Sequence, residues 1–326
     1  MNKNINALKL ILAIMVIYCH AEIYPEIGHF AVCMFFMLSG YLIRSKIERQ
    51  NDRYSIFDVK KQFYRIAPAY YLMLILFVIL QFAILKKIDW CSLIAHVCLI
   101  QSWFSYATEH PYNGPTWYLS SYFAILLMLV LIQSLCRTGK KHRRILPMIT
   151  GGVIFIWLTL SQFIVNQHWW VYYFPVAHLS EFVFGFFIHD MQNKCKCVFL
   201  QHANRLCILG FVLFFVTLTC SHYINSIIIQ ENLIYLPASW LIVSWFVYTE
   251  ERRNSLSVLL HARWIQMLGR LSLQLFIYHL FVIRIFHYVG IDDFSWSAII
   301  VIPSCICFAA MMEKCYEPLF SRYISR

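Results

Sequence analysis

Lys9 and His20 are the residues near the N-terminus whose types and spacing could do chemistry. They stand eleven positions apart in a run that is otherwise mostly apolar. Eleven residues make just over three helical turns, so both fall on one helix face, roughly 16 Å apart along the axis. A histidine exchanges a proton near neutral pH, as a general base acting on a hydroxyl must. Each residue also has a plainer reading. Lys9 could be an end-residue whose ammonium snorkels to a membrane surface, and His20 a satisfied structural histidine. Ionisable groups inside apolar helices are costly, which makes both candidates for function.

Few other residues qualify. Glu181 is the acidic residue that lies well inside an apolar run; it reads either as a structural acid paired to a neighbouring helix or as a support for a core site. His279 and Arg284 are five residues apart and do not share a helix face. His279 reads as structural or supporting, and Arg284 as reaching an outer polar group. His96 and His178 carry no separate signal. No H-E-x-x-H motif or paired carboxylate cluster is present, so no metal is expected.

The elements that must position these residues are membrane helices. Of 326 residues, 60% are hydrophobic and 13% charged, where a soluble domain carries about 25% charged residues. Charges cluster between long apolar runs, as expected when hydrocarbon surrounds the chain. The expected fold is all-α, a polytopic bundle of about ten transmembrane helices forming one unit. The predicted spans are Ile5–Ile23, His29–Ile43, Ile66–Leu85, Thr116–Leu135, Ile145–Val165, Tyr172–Ile188, Leu206–Tyr223, Leu233–Tyr248, Leu271–Val289 and Phe294–Met312. The first is expected to be retained, because no small-x-small cleavage pattern follows it.

With the N-terminus inside, all 27 Lys and Arg except Lys86, Lys87 and Arg284 fall in inner loops or at inner helix ends. That asymmetry is the positive-inside rule, and it predicts both termini in the cytoplasm. It also accounts for the net charge of +11 without nucleic acid. The longest outer connection runs from Lys86 to Pro115; its stretch Asp89–Ser102 predicts an amphipathic helix lying on or dipping into the membrane. No internal repeat is visible. The twelve cysteines sit mostly in apolar runs or basic loops and read as structural.

Several stretches together resemble one family. Asn6-Ala7-Leu8-Lys9, ten intervening residues and His20 are followed by Phe35-Phe36-Met37-Leu38-Ser39-Gly40-Tyr41. Phe63-Tyr64-Arg65-Ile66-Ala67-Pro68-Ala69-Tyr70 leads into the third span, and weaker matches lie at Trp117-Tyr118-Leu119, Glu181-Phe182-x-x-Gly185, Leu268-Gly269-Arg270-Leu271-Ser272 and Ile277-Tyr278-His279. In this order they resemble the acyltransferase-3 family, polytopic membrane enzymes that acylate sugars of surface polysaccharides. Two departures stand out. Lys9 replaces the commoner arginine, keeping the charge but losing bidentate binding. The stretch after Trp117 also lacks the glutamate that many members carry.

The resemblance implies an O-acyltransferase, most simply an acetyltransferase, in the cytoplasmic membrane of a bacterium. Acetyl-CoA or another acyl-CoA would be the donor, and a carbohydrate, free or lipid-linked, the acceptor. His20 would be the general base or a transient acyl carrier, with Lys9 stabilising negative charge and Glu181 supporting the site. The basic stretch from Arg44 to Arg65 marks topology by default. Its sharper reading is a site for the coenzyme A phosphates, with Arg44, Lys60, Lys61 and Arg65 as candidates. A transporter or flippase of a polysaccharide precursor is the alternative, since intramembrane charges also line pathways.

Overall fold

The computed structural model describes residues 2–22, 26–51, 53–135, 151–161, 163–164, 166–250, 255–290 and 294–324. These residues form helices and connections with no strand among them. The basic stretch 137–144, Arg252 and Arg253 lie outside the described residues.

The first helices are α1 (Lys3–His20), α2 (Ile27–Arg49), α3 (Ile56–Leu85), short α4 (Trp90–Val97), α5 (Ser105–Glu109) and α6 (Trp117–Leu135). Then follow α7 (Gly151–Leu160), α8 (Leu179–Gln201), α9 (Ala203–Cys220), α10 (Ile227–Glu231) and α11 (Leu236–Tyr248). The last are α12 (Ser255–Leu260), α13 (Arg263–Arg270), α14 (Ser272–Tyr288) and α15 (Phe294–Ile324). Among the described residues, five helices are long and apolar enough to cross a bilayer, or six if α13 and α14, bent by 68°, count as one span. Helices α7 and α11 are apolar but shorter.

Several boundaries differ from the hydropathy reading: α2, α3 and α15 extend beyond the predicted spans into more polar sequence, and two further spans differ because the helix is broken or bent. The predicted sixth span, Tyr172–Ile188, is broken: a π-helical turn at Trp169–Tyr173 and a 3-10 turn at Pro175–His178 precede α8, which runs on to Gln201. Pro175 lacks the N–H that a continuous helix would need there. The predicted ninth span gains a preceding helix, α13, across the bend at Leu271.

Helix α1 is the centre of the bundle and packs against α2, α11, α13 and α14. Its N-terminus is anchored at several points. Asn2 caps it by accepting from the Ile5 N–H, and the Lys3 and Asn4 N–H groups donate to the two carboxylate oxygens of Glu250, each at 2.8 Å. A carboxylate at a helix N-terminus satisfies orphan donors and complements the dipole. Gln266 of α13 adds bonds to Asn6 (3.2 Å) and to the Lys3 carbonyl (2.9 Å).

Three of the glycine-bearing motifs are contact points. A Cβ on Gly40 would run into the Phe182 carbonyl oxygen, and one on Gly185 into that of Met37. Helices α2 and α8 therefore touch backbone to backbone, as small residues allow inside membranes. Likewise, a Cβ on Gly269 would strike the Asn6 carbonyl oxygen of α1. Around this centre, α9 and α3 are peripheral: 17% of the apolar window of α9 and 28% of that of α3 is buried, against 72% for α2. The exposed Ile75, Ile79, Phe82, Phe211 and Phe215 suit hydrocarbon and would be costly in water.

The segment between α3 and α6 dips into the bundle. The Tyr70 and Tyr71 hydroxyls, half-way along α3, donate to the His96 and Val97 carbonyls at the end of α4 (2.7 and 2.8 Å). The His96 carbonyl also accepts from the Leu99 N–H at 3.1 Å, so the tyrosines add to the bonds at a helix end well below the tip of α3. By helical rise that depth is roughly 20 Å from Leu85.

Candidate active site

Two cavities meet inside the bundle. The first, about 290 Å³, is walled by His20 and Val16 of α1, His29 of α2, His96 and Gln101 of the dipping segment, and Trp117 of α6. Tyr172 and Tyr173 of the π-helical turn complete its aromatic side. The second, about 620 Å³, opens at the end of the bundle that carries the stretch Arg44–Arg65. Lys9, Lys46, Arg49 and Arg65 line it. Tyr118 and Phe276 belong to the walls of both cavities, their rings edge to face at 5.4 Å. These two largely buried side chains are the partition between the cavities. The Tyr118 hydroxyl is 3.0 Å from that of Ser39, which lines the second cavity.

Helix α1 connects the chambers: Lys9 lines the second and His20 the first, on one face. His20 also meets a side chain that sequence reasoning left as structural or supporting. The ring of His279, wholly buried on α14, lies 5.2 Å from that of His20 between centroids. His279 Nδ1 is 2.8 Å from the Phe276 carbonyl and 3.1 Å from that of Leu275. Carbonyls only accept, so Nδ1 carries the proton and Nε2 is a bare lone pair, without a hydrogen-bond partner. A second imidazole held in that tautomer beside His20 can accept a proton or orient its neighbour, as the third group does in nucleophile–base–orienter arrangements. Among the described residues no cluster of His, Cys, Asp and Glu is arranged to hold a metal.

The remaining sequence-predicted residues fall in several places. Arg65 lines the second cavity. Arg44 does not: it is buried against α8, its Nε donating to Asp190 at 2.7 Å. Lys60 faces an apolar crevice on the outside of α3, about 720 Å³, and Lys61 is exposed. For Lys60 the cause is helix phase. Lys60 is five residues from Arg65, about 140° around α3, and so points to the other side. Lys46 and Arg49 take the places that sequence reasoning assigned to Lys60 and Lys61. Lys46 also pairs with Asp58 at 2.7 Å. Their signal was present, since both belong to the basic stretch, but only packing shows which face of α2 looks inward.

Glu181 lines neither cavity. Its Oε1 is 3.1 Å from His178 Nδ1, and Asn232 and Ser180 donate to the carboxylate at 3.3 Å each. His178 Nε2 donates to the Tyr172 carbonyl at 2.8 Å, and the imidazole stacks on Phe36 at 4.3 Å. With Nε2 committed as donor, the contact to Glu181 requires one proton held between Nδ1 and Oε1. The pair thus holds the backbone that presents Tyr172 to the first cavity. Arg284 places its guanidinium over the Phe77 ring at 5.2 Å, a cation–π contact in place of the expected outer polar group.

This geometry can be set against known proteins. The family model described as an acyltransferase domain, Acyl_transf_3, matches residues 2–313. The chain belongs to the acyltransferase-3 family. Together with its long apolar helices this marks a multi-pass membrane protein, and the first-helix and second-helix motifs of that family form the central packing of the bundle. Among curated proteins the chain is similar to the acyltransferase MdmB of Streptomyces mycarofaciens, 27% identical over 177 residues. That match takes in 49% of this chain and 45% of MdmB, so the chain spans about half the length of the relative. No solved structure matches.

Proposed function

We propose that the protein is an O-acetyltransferase, moving the acetyl group of acetyl-CoA onto a hydroxyl of a surface carbohydrate or its lipid-linked precursor. One observation carries this reading: a histidine-bearing cavity and a cation-lined cavity lie back to back, separated by Tyr118 and Phe276. Lys9, Lys46, Arg49 and Arg65 suit the phosphates of coenzyme A, because ammonium and guanidinium groups bind phosphate through charge-assisted hydrogen bonds. A volume of about 620 Å³ lies within the range of ligand pockets. The aromatic first cavity, with its imidazoles and amide, suits a sugar: rings offer flat faces to the C–H side of a pyranose, and polar groups meet its hydroxyls.

In the transfer, His20 removes the proton of the acceptor hydroxyl as its oxygen attacks the thioester carbonyl carbon. The C–S bond breaks, and the coenzyme A sulfur leaves as a thiolate that takes the proton back from the imidazolium. His279 orients His20 during this exchange. Lys9, on the same helix face, stabilises negative charge on the donor side. Glu181 supports the site at one remove through His178 and Tyr172. The lopsided Lys and Arg distribution supports a cytoplasmic position for the cation-lined cavity and for both termini. The family supports the cytoplasmic membrane of a bacterium.

Labelled acetyl groups from acetyl-CoA are to be followed into surface glycan, in membranes holding wild-type protein or His20→Ala at equal abundance. Removing a general base costs about 10²–10⁴ in rate, so the variant is expected to be nearly silent. Substantial turnover by His20→Ala would remove His20 from this role. No transfer by wild type, with several donors and the native glycan present, would favour a transporter instead.

A further inference from the structure

Two buried groups in the wall of the first cavity have hydrogen-bonding capacity that the fold leaves unused. Both belong to the segment that dips between α3 and α6. His96 and Gln101 are each 1% exposed and line the same cavity as His20. His96 Nδ1 lies 2.8 Å from the Ser92 carbonyl and so carries the proton; Nε2 is then a bare acceptor, and it has no partner. The Gln101 amide nitrogen donates to the Thr116 carbonyl at 2.9 Å, which settles the orientation of the amide. Its Oε1 is likewise an acceptor without a partner. Buried acceptors are nearly always satisfied in native proteins, and each exception calls for an explanation.

The two groups are also held in place. The Tyr70 hydroxyl donates to the His96 carbonyl, and the Ser102 and Ser120 hydroxyls are 2.7 Å apart beside Gln101. Trp169 Nε1 donates to the Ser102 carbonyl at 3.2 Å, tying the segment to the aromatic turn across the cavity. A preorganised pair of acceptors selects a ligand that donates twice.

We propose that the dipping segment is the acceptor-recognition element, and that His96 Nε2 and Gln101 Oε1 receive hydrogen bonds from two hydroxyls of one sugar ring. This rests on reading the first cavity as the acceptor's side of the transfer. At about 290 Å³ the cavity is at the small end of ligand pockets, which span roughly 300–1,000 Å³, and suits a single ring rather than a length of chain. Thioesters, ethers and methylated oxygens offer no donor and leave both groups unsatisfied. The site therefore discriminates by hydroxyl count, the kind of selection that binding achieves most strongly.

The test uses wild-type protein, His96→Leu, Gln101→Met and His96→Gln, the last keeping an acceptor. Two readouts run in parallel. One is acetyl transfer from acetyl-CoA to native surface glycan, giving KM for each substrate and kcat. The other is quenching of tryptophan fluorescence in purified protein by the same glycan, which needs no turnover. The Leu and Met variants are expected to raise the glycan KM and its binding midpoint on the order of tenfold each. The acetyl-CoA KM should stay within about threefold of wild type, with His96→Gln partly restored. Glycan stripped of donors by exhaustive O-methylation is expected not to compete. Unchanged glycan affinity in both single variants, or full competition by methylated glycan, would overturn the inference. If wild type binds glycan through these groups yet transfers no acetyl, the acetyltransferase reading fails and the recognition element stands.

Discussion

The two cavities differ in almost every property that a binding site can have. The second is large and holds two lysines and two arginines among its lining residues. The first is less than half that size, with histidines, an amide and aromatic rings in its wall. Fixed charge recognises a charged partner, whereas imidazoles can accept and donate protons. On the proposed reading, one fold keeps the strongly hydrated donor away from the proton transfer. Among the described residues only Tyr118 and Phe276 stand in both walls.

That contrast can be broken by substitution, and the loss of His20 described above is the largest effect expected. Next comes the seam that holds α2 against α8. Gly185→Ala puts a methyl against the Met37 carbonyl oxygen. Overpacking of this kind costs typically 1–3 kcal/mol, about the same as losing a core contact. A lowered Tm in detergent is the expected result; an unchanged Tm would show that α8 can shift away.

His279→Ala is expected to lower kcat roughly tenfold, with both KM values little changed, because it removes an orienting group and no binding contact. A role confined to packing predicts an unaltered pH profile, so the pH dependence of kcat separates the two. A restored profile in His279→Gln would support orientation through a hydrogen-bonding group.

The opposite cavity is sharpened by the pair Arg49→Ala and Arg65→Ala. Each is expected to raise the acetyl-CoA KM on the order of tenfold, with a loss that shrinks as ionic strength rises. Lys60→Ala and Lys61→Ala, outside that cavity, should change it by less than about twofold. Equal effects from all four would mean that the basic stretch acts as a diffuse field and not as a site.

The smallest effect concerns the mouth of the first cavity. His168 Nδ1 lies 2.6 Å from a Glu231 carboxylate oxygen, and that hydrogen bond raises the His168 pKa above its ordinary value. A raised histidine pKa stabilises the fold below the ordinary value of about 6.5 and ceases to do so as pH rises through the raised one. Because His168 is half-exposed, the contribution is modest. Tm of wild type should exceed that of His168→Ala near pH 6, with the difference vanishing at about pH 9. A difference independent of pH would assign the contact to packing.

Much of the frame was legible in the chain. The hydropathy runs over α1, α6 and α9 differ from the observed helices by a few residues at their ends, because a long apolar segment has few stable alternatives in lipid. The placement of Lys9 and His20 on one face follows from helical periodicity alone. The break before α8 was harder to read: Trp169 to Phe174 is as apolar as a helix, and hydropathy does not register a π-helical turn. Arg44 was drawn into the expected anion site by composition, yet its partner is Asp190, 146 residues away. The depth reached by residues 90–116 was open as well, since amphipathicity is satisfied equally by a membrane surface and by a polar bundle interior.

By itself the sequence determined the helical class, the family, the asymmetry of charge and the first-helix pair, because these depend on composition, local periodicity and motif order. Tertiary structure alone decided that His20 faces His279 across 259 positions of chain. It also decided which cations share a cavity, and that His96 and Gln101 reach its wall. The physical reason is that helix rotation and the close approach of glycine-lined backbones are set by pairwise packing between distant segments. A hydrophobic pattern specifies that a helix is buried in a bundle, and leaves to its neighbours which side it turns inward.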